Sequence, residues 1–338
     1  SAHLGQYCEV IPATPGEGRG WYQGSADALY QNLERLGRDG TRIVAVFGAD
    51  HIYRMDIQQM IAEHVEARAD VSISVVPQPI EQAHQFGCLE VDEKMRVRRF
   101  LEKPASPPPF AGAPGKSLVS MGNYLFNYEV LRGVLEADHA DPESRHDLGG
   151  DVFPCWFDRL HIHAYNFMNN RVPGTRDSER GYWRDVGTIG SYWRASMDLV
   201  SVTPAFNMYN DAWPILTART DNPPAKFVFA DRESNRMGIA TDSLVSSGCI
   251  ISGGHIDRCV LGPRVRINSY STVSESMLFE DVEVGRHCRV RRAIVDRGVR
   301  IPPNTSIGYE PEKDRARGIT LCPEGISVVC ADARLESS

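Results

Sequence analysis

The last third of the chain carries a repeat that decides its fold. In rows of 17, residues 244–307 read LVSSGCIISGGHIDRCV, LGPRVRINSYSTVSESM, LFEDVEVGRHCRVRRAI and VDRGVRIPPNTSI. Within each row aliphatic residues stand six positions apart, and the next row begins five positions later. The three aliphatic columns are Leu244, Leu261, Leu278 and Val295; Ile250, Ile267, Val284 and Ile301; and Ile256, Val273, Val290 and Ile307.

This imperfect hexapeptide repeat predicts a parallel β-helix. Three short strands per coil would each turn an aliphatic residue inward, where it stacks on the coil below. An antiparallel sandwich is the alternative, but it gives no reason for a 17-residue register kept over four rows. We expect the corners between strands to be formed by residues that tolerate turns: Gly262, Asn268, Gly285, Pro302 and Gly308.

Length and composition limit the class of protein. The chain has 338 residues, of which 42% are apolar and 24% charged, so we expect two globular domains. The net charge of −7 argues against a general nucleic-acid surface or an anionic membrane surface as partner. No apolar run approaches the roughly 20 residues that a transmembrane helix needs, and the amino terminus lacks a signal-like segment, so we expect a cytoplasmic protein. The eight cysteines show no metal-binding spacing and are interpreted as buried free thiols.

The first 200 residues have the pattern of an α/β domain. Residues 42–50 form an apolar run typical of a buried parallel strand, and residues 71–76 form another. Between them, residues 55–69 have helical spacing, with Ile57, Met60, Ile61 and Val65 as the apolar face. This βαβ unit places Asp50 at a carboxyl strand end, where ligands bind in such folds. We predict an α/β domain over 1–203, a connection over 204–243 and the β-helix over 244–338.

Several residues could carry chemistry, and each has a structural alternative. Asp50 and Asp185 could hold Mg²⁺ if they converge, or each could stabilise a local turn. The neighbours Glu102 and Lys103 offer a carboxylate for sugar hydroxyls and an ammonium for a phosphate, or they form an exposed ion pair. Tyr22, in a Trp-Tyr pair before a helix start, could stack on a ligand or anchor the core.

Taken in order, the motifs resemble those of bacterial glucose-1-phosphate adenylyltransferases. They are W-Y-Q-G-S-A-D-A (21–28), G-A-D-H-I-Y (48–53), F-G (86–87), E-K-P (102–104), S-M-G-N-Y (120–124), H-D-L-G (146–149) and Y-W-R-D-V-G-T (182–188), followed by P-P-A-K-F (223–227) and the repeat. The resemblance covers nearly the whole chain. It implies a Rossmann-like nucleotidyltransferase domain followed by a C-terminal left-handed parallel β-helix.

The resemblance also implies a reaction and roles for residues. ATP and α-D-glucose 1-phosphate would give ADP-glucose and pyrophosphate, the committed step of glycogen biosynthesis. Asp50 and Asp185 would hold Mg²⁺, Lys103 would bind the sugar phosphate, and Glu102 would bind glucose hydroxyls. The remaining substrate contacts would be Tyr22, Gly87 and Ser120. Family members are controlled by anionic metabolites and form homotetramers; an arginine cluster on one coil edge could bind such an effector or simply be a solvated corner: Arg286, Arg289, Arg291 and Arg292.

One family feature has no counterpart in this sequence. The family begins with a strand and a Gly-rich loop, G-G-x-G-x-R-L, that cradles the ATP phosphates. The nearest match, at 16–19 (Gly-Glu-Gly-Arg), follows no predicted strand and places an acid where phosphate would lie. We therefore expect a chain that starts roughly 80 residues into the family pattern, judged from typical strand-loop-helix lengths.

The sequence is also compatible with other functions. The chain could use another nucleotide and hexose phosphate, or it could be a non-catalytic regulatory subunit that binds sugar phosphates. The hexapeptide repeat also occurs in acyltransferases, for which His255 and His287 are the candidate bases.

Overall fold

The computed structural model describes residues 9–13, 21–217 and 220–335. The segment 16–19, considered above as a phosphate loop, lies outside these residues. Contacts divide the chain into two compact units, one of residues up to Ala49 with Met55–Arg171, the other of Asp50–Arg54 with Val172 onward. Among the described residues, no helix has the length and apolarity needed to cross a bilayer.

The first eight strands and the helices have the following bounds. The strands are β1 (Ile43–Phe47), β2 (His51–Tyr53), β3 (Val71–Pro79), β4 (Cys88–Val91), β5 (Val97–Leu101), β6 (Lys116–Asn127), β7 (Ile162–Asn166) and β8 (Trp183–Asp185). The helices are α1 (Ser25–Tyr30), α2 (Leu33–Leu36), α3 (Ile57–Glu66), α4 (Ile80–Ala83), α5 (Tyr128–His139), α6 (Phe153–Trp156), α7 (Ile189–Leu199) and α8 (Pro311–Ala316).

The sheet of the first unit is built around the long strand β6. The order is β5-β4-β6-β3-β7, with β1 also paired to β6. Both β1 and β3 run antiparallel to β6, so they are parallel to one another but are not neighbours. The predicted strand-helix-strand unit is therefore present, with β6 inserted between its strands. Residues 42–50 differ from the expected buried strand: β1 pairs with β6 alone among the described residues, and Phe47 is 39% exposed.

Helix α3 is rotated relative to the face that its aliphatic residues predict. Asp56 caps it by accepting a hydrogen bond from Gln58 N. Met60 is fully buried as expected, but Val65 is 60% exposed and His64 is buried instead. The imidazole is 2.8 Å from Ser72 Oγ and 3.2 Å from Asn127 Oδ1, so its polar atoms are satisfied inside the protein. Burial lowers the pKa of His64.

The second unit contains the predicted β-helix. Its strands are β9 (Lys226–Val228), β10 (Ala230–Asp231), β11 (Arg236–Met237), β12 (Ile239–Thr241), β13 (Leu244–Val245), β14 (Ile250–Ser252), β15 (His255–Asp257), β16 (Val260–Leu261), β17 (Arg266–Ile267), β18 (Thr272–Ser274), β19 (Met277–Leu278), β20 (Glu283–Val284), β21 (Arg289–Arg291), β22 (Ala293–Val295), β23 (Arg300–Ile301), β24 (Ser306–Ile307), β25 (Thr320–Leu321) and β26 (Ser327–Val329). Apart from the antiparallel pair β10–β11, they form three sheets, β12-β15-β18-β21-β24, β13-β16-β19-β22-β26-β25 and β9-β14-β17-β20-β23. The pairs in these sheets are parallel except β25 with β26.

The first row of the repeat has a different register from the one expected. Leu261 pairs with Val245 and Ile267 pairs with Ile251, each 16 positions apart, so Leu244 and Ile250 are not the inward residues. A one-residue shift moves a strand residue to the opposite face, and each expected position has an aliphatic neighbour that hides the shift in the sequence. Strands β9 and β12 extend the sheets into the range 204–243 assigned to the connection, because they pair with β14 and β15.

Most corners differ in chemistry from those expected, although Gly308 has the positive φ of a turn glycine. Ten residues with positive φ recur every 17 positions, and only two of them are glycine: Arg258, Glu275 and Arg292; Arg264, Asp281 and Gly298; Gly253, Tyr270, His287 and Asn304. Gly262 and Gly285 serve a different purpose, because a Cβ at either would lie within 3.0 Å of backbone atoms of the next coil. These glycines therefore allow close stacking of coils.

The cysteines are only partly as expected. Five of the described thiols are buried, but Cys155 and Cys330 are exposed. Burial raises the pKa of Cys259 to about 12, so that thiol is a poor nucleophile.

Candidate active site

In the first unit, the residues predicted to bind the sugar phosphate lie beside a gap between β4 and β1, which pair with different stretches of β6. Strand β4 pairs with β6 at Leu118 and Val119, whereas β1 pairs with it from Asn123 onward. Between these stretches Ser120 N donates to Gly87 O at 2.8 Å. A gap between neighbouring strands of an α/β sheet is a common place for a ligand.

Glu102 and Lys103 lie beside this gap. The Lys103 ammonium is 3.9 Å from Glu102 Oε1, and its side chain is 66% exposed. Lys103 has a φ of +43°, a conformation that costs a non-glycine residue energy and is common at functional sites. A Cβ at Gly87 would lie 2.6 Å from Phe100 Cζ and 3.0 Å from Glu102 Oε2, so glycine lets this backbone approach the carboxylate.

A second segment, the H-D-L-G motif, completes the cluster. Ser25 Oγ donates to Asp147 Oδ2 at 3.1 Å and accepts from Leu148 N at 2.9 Å. A Cβ at Gly149 would lie 3.3 Å from Glu102 Oε2. Tyr22 lies at the start of the segment that carries Ser25, and its hydroxyl accepts a hydrogen bond from Asn32 Nδ2 at 3.0 Å. The structure therefore brings Gly87, Glu102, Lys103 and Ser120 together, whereas Tyr22 makes its described contact with Asn32.

The carboxylates in this cluster affect each other and a buried phenol. Burial raises the pKa of the Glu102 carboxyl, and the charge of Asp147 raises it further, while the Lys103 ammonium opposes both. Burial also raises the pKa of Tyr124 to about 12, so its hydroxyl is protonated at neutral pH. That hydroxyl lies 3.5 Å from Ser120 Oγ.

In the second unit, Asp50 and Asp185 converge. Strand β2 pairs antiparallel with β8, which sets His51 opposite Asp185, and Val186 N donates to Asp50 O at 2.9 Å. Oxygen and nitrogen atoms of Asp50, His51 and Asp185 lie within 4.8 Å of one another. His51 Nε2 is 3.4 Å from Asp50 Oδ1, and its ring lies 5.1 Å from that of Trp183.

This acid pair fits a hard divalent cation. Two carboxylates are the donors that Mg²⁺ prefers when phosphate oxygens and water supply the remaining ligands. Gly187 keeps the space beside them open, since a Cβ there would lie 3.1 Å from Asp185 Oδ1 and 3.3 Å from Asp50 Oδ2. His51 is a less suitable magnesium ligand, and its ring lies beside the Asp50 carboxylate.

The four candidate effector arginines do not converge on one site but lie over three different aromatic rings. Arg289 and Arg291 both lie over the Tyr309 ring, at 4.2 and 4.9 Å from its centroid. Arg286 lies over Tyr270, and Arg292 lies over Trp193 of α7. Alternation along β21 explains the first pair, because residues two apart in a strand share a face.

Sequence reasoning gave no role to three residues that the structure places at these sites: His51, Tyr124 and Asp147. Each belongs to a motif quoted above, so the motif was the available signal. Their roles depend on contacts between distant segments, which spacing does not reveal.

Comparisons with known proteins agree with both halves of the chain. Residues 3–202 match the nucleotidyl transferase family, and residues 223–329 match the GlmU-like C-terminal hexapeptide family. A protein from Anaeromyxobacter sp. (strain Fw109-5) that carries the name glucose-1-phosphate adenylyltransferase is 49% identical over 335 residues, covering 97% of this chain and 82% of the relative. The chain belongs to the glucose-1-phosphate adenylyltransferase family.

Relatives of the same name occur in distant bacteria. That of Bifidobacterium adolescentis is 44% identical, with 96% of this chain and 79% of the relative covered. That of Deinococcus radiodurans is 46% identical, with 92% and 75% covered. The predicted family is therefore confirmed, as is a nucleotidyltransferase domain followed by a hexapeptide β-helix whose parallel sheets are consistent with the left-handed form.

Proposed function

We propose that the chain transfers AMP from ATP to α-D-glucose 1-phosphate, giving ADP-glucose and pyrophosphate in a Mg²⁺-dependent reaction. This is the committed step of glycogen biosynthesis. The observation that carries the proposal is the 49% identity to a glucose-1-phosphate adenylyltransferase over 82% of that protein's length.

For this reaction the protein mainly has to align the two substrates and neutralise the charge of their phosphates. An oxygen of the sugar phosphate forms a bond to the α-phosphorus of ATP. The bond from that phosphorus to the bridging oxygen breaks, and its electron pair leaves with pyrophosphate. Because the attacking phosphate is already ionised, no protein base has to remove a proton.

The cluster of the first unit supports binding of the sugar phosphate. Lys103 supplies a compact positive charge for the phosphate, and Glu102 accepts hydrogen bonds from glucose hydroxyls. Gly87 permits close approach of the backbone, and Ser120 and Tyr22 are the remaining proposed contacts.

The acid pair of the second unit supports the metal role. Asp50 and Asp185 would hold Mg²⁺, which when bound neutralises charge on the phosphate oxygens. His51 lies beside the Asp50 carboxylate, and Gly187 N fixes Asp185 by donating to its Oδ1 at 2.7 Å.

Arg289 and Arg291, side by side over Tyr309, are the better-placed pair for an anionic metabolite effector, with Arg286 nearby in sequence. We also propose a homotetramer located in the cytoplasm.

The test is pyrophosphate release from ATP and glucose 1-phosphate with Mg²⁺ by the full natural protein. Asp50→Asn should lower kcat about 100-fold or more, because one metal carboxylate is lost. Lys103→Gln should raise the KM for glucose 1-phosphate about 10- to 100-fold, as expected for removal of a charge-assisted contact. Lys116→Gln, an exposed lysine at the start of β6, is the matched control and should leave both constants unchanged.

Two results would redirect the proposal. Binding of glucose 1-phosphate without any turnover would favour the non-catalytic subunit. A preference for GTP, UTP or dTTP over ATP would favour another sugar-phosphate nucleotidyltransferase.

A further inference from the structure

Helix α7 begins directly beside the acid pair. It follows β8, and Gly187, which joins the two elements, donates to Asp185 Oδ1 at 2.7 Å. Thr188 caps the helix through a reciprocal capping box with Ser191. The position of the helix start therefore determines where the hydrogen bond to Asp185 is made.

The same helix packs along one sheet of the β-helix. Tyr192, Trp193 and Met197 of α7 contact an apolar cluster on that sheet. The buried members of the cluster are Met277, Ile294, Cys322 and Ile326. Gly190 lies so close to the Glu324 carboxylate that a Cβ would collide with it, and Arg194 is 3.7 Å from Glu324 Oε1.

Trp193 is the most specifically held residue of this contact. Its indole Nε1 donates to Glu275 O at 2.9 Å. The Arg292 guanidinium lies 4.6 Å from the centre of the indole ring, 3.7 Å from Glu275 Oε2, and donates to Glu324 O at 3.1 Å. Arg292 thus connects the helix, the corner residue of the coil before it and the strand hairpin β25–β26.

Beyond Trp193 the helix is buried on one face, at Ala195, Ser196 and Val200, and borders open space on another. A cavity of about 380 Å³ borders the carboxyl-terminal half of α7 and the corner residues. It is lined by Trp193, Met197, Val200, Arg258, Glu275 and Arg292. Since the cavity leaves this side of the helix without packing, the contacts of Trp193 and Arg292 hold the helix there.

We propose that Trp193 and Arg292 are positioning residues for the metal acids, and that the β-helix serves as the platform on which Asp50 and Asp185 are aligned. This inference rests on the proposed function, because it takes the acid pair as the metal site. It also separates Arg292 from the other candidate effector arginines.

The test measures metal binding in the absence of substrates. Tb³⁺ is a hard, oxygen-seeking cation, and Trp183, two residues before Asp185, can sensitise its luminescence when it binds at the acid pair. We expect Arg292→Gln and Trp193→Phe to weaken Tb³⁺ binding about 3- to 10-fold, Arg292→Lys to restore part of the loss, and Arg300→Gln, an exposed arginine of β23, to change nothing. The KM for glucose 1-phosphate should stay within twofold in all four variants, and circular dichroism should show an intact fold.

The outcomes separate this inference from the proposed function. If Asp185→Asn abolishes Tb³⁺ luminescence while Arg292→Gln binds like the unsubstituted protein, the positioning role is wrong and the metal site stands. If Asp185→Asn binds Tb³⁺ normally, the acid pair is not the metal site, and both proposals lose their basis. An equal loss in Arg300→Gln would show a general effect of β-helix charge and would also overturn the positioning role.

Discussion

In the folded protein, the surroundings of Glu102 disfavour the ionised form of its carboxyl. Its pKa is raised chiefly by burial and further by Asp147. A carboxyl whose pKa is higher in the folded state than in the unfolded chain contributes its full stability below the unfolded pKa, and that contribution is lost as pH rises through the folded value. At neutral pH the ionised Glu102 therefore lowers stability, while its oxygens remain available to accept hydrogen bonds from a sugar.

We predict that Glu102→Gln stabilises the protein at pH 7 and weakens substrate binding. The amide keeps the size of the side chain but carries no charge, so the urea midpoint of unfolding should rise at pH 7. The difference should shrink toward pH 4, where the carboxyl is largely protonated in both states. Loss of a charged acceptor should raise the KM for glucose 1-phosphate about 10-fold or more.

Glu90→Gln provides the matched control for this substitution. Glu90 pairs with Arg99 at 3.1 Å on β4, away from the gap, so its replacement should leave the KM unchanged. A midpoint for Glu102→Gln that is raised as much at pH 4 as at pH 7 would contradict the charge argument. An unchanged KM would remove Glu102 from the sugar site.

At the scale of elements, corner residues of the β-helix that have positive φ contact the corner residues of the neighbouring coil. Arg258 donates to Glu275 at 2.5 Å, and Arg264 makes two bonds of 2.7 Å with Asp281. Tyr270 stacks on His287 with ring centroids 4.9 Å apart. A positive φ costs a non-glycine residue roughly 1–2 kcal/mol, and contact with the corner residue 17 positions away offsets part of that cost.

Glycines in the coils should therefore respond to substitution according to their surroundings rather than their backbone angles. Gly285→Ala should destabilise the β-helix by about 1–3 kcal/mol, because the new Cβ would lie 2.6 Å from Pro303 N and 2.8 Å from Ile301 O, and neither backbone atom can rotate away. Gly298→Asn should have an effect within about 0.5 kcal/mol. Gly298 has a φ of +70° with open space around it, and asparagine tolerates that conformation.

Urea unfolding followed by circular dichroism measures both effects. The prediction is wrong if the two variants are equally stable. It is also wrong if Gly298→Asn is the less stable one, since backbone angle would then outweigh close packing.

The sequence predicts these elements better than it predicts the strand register and the tertiary contacts between them. The 17-residue period indicates stacked coils because each strand of every coil turns an aliphatic side chain into the core. It places Leu244 and Ile250 inward incorrectly because each has an aliphatic neighbour, and only pairing with Leu261 and Ile267 decides between them. Likewise, Glu102 and Asp147 stand far apart in sequence, and their proximity depends on tertiary contacts. Motif resemblance indicated the site residues, but distance and charge had to come from the structure.

At the scale of the whole molecule, the two proposed half-sites lie in different compact units. Glu102, Lys103 and Ser120 belong to the first, and Asp50 and Asp185 to the second. The contacts described for each cluster are made within its own unit: Asp147 and Gly87 for the first, Gly187 and His51 for the second. In the absence of ATP, each half-site should therefore keep its affinity for its own ligand when the other half-site is altered.

A pair of binding experiments tests this independence. Lys103→Gln should weaken glucose 1-phosphate binding in calorimetry about 10-fold or more and leave Tb³⁺ binding within twofold of the unsubstituted protein. Asp185→Asn should do the reverse, and the double variant should show each loss at the size seen in the single variant, because sites without shared partners are independent. A loss of both affinities in either single variant would contradict independence and would mean that the sugar cluster and the metal acids are already coupled before ATP binds. Unchanged individual losses in the double variant would show that the two affinities are independent in the absence of ATP.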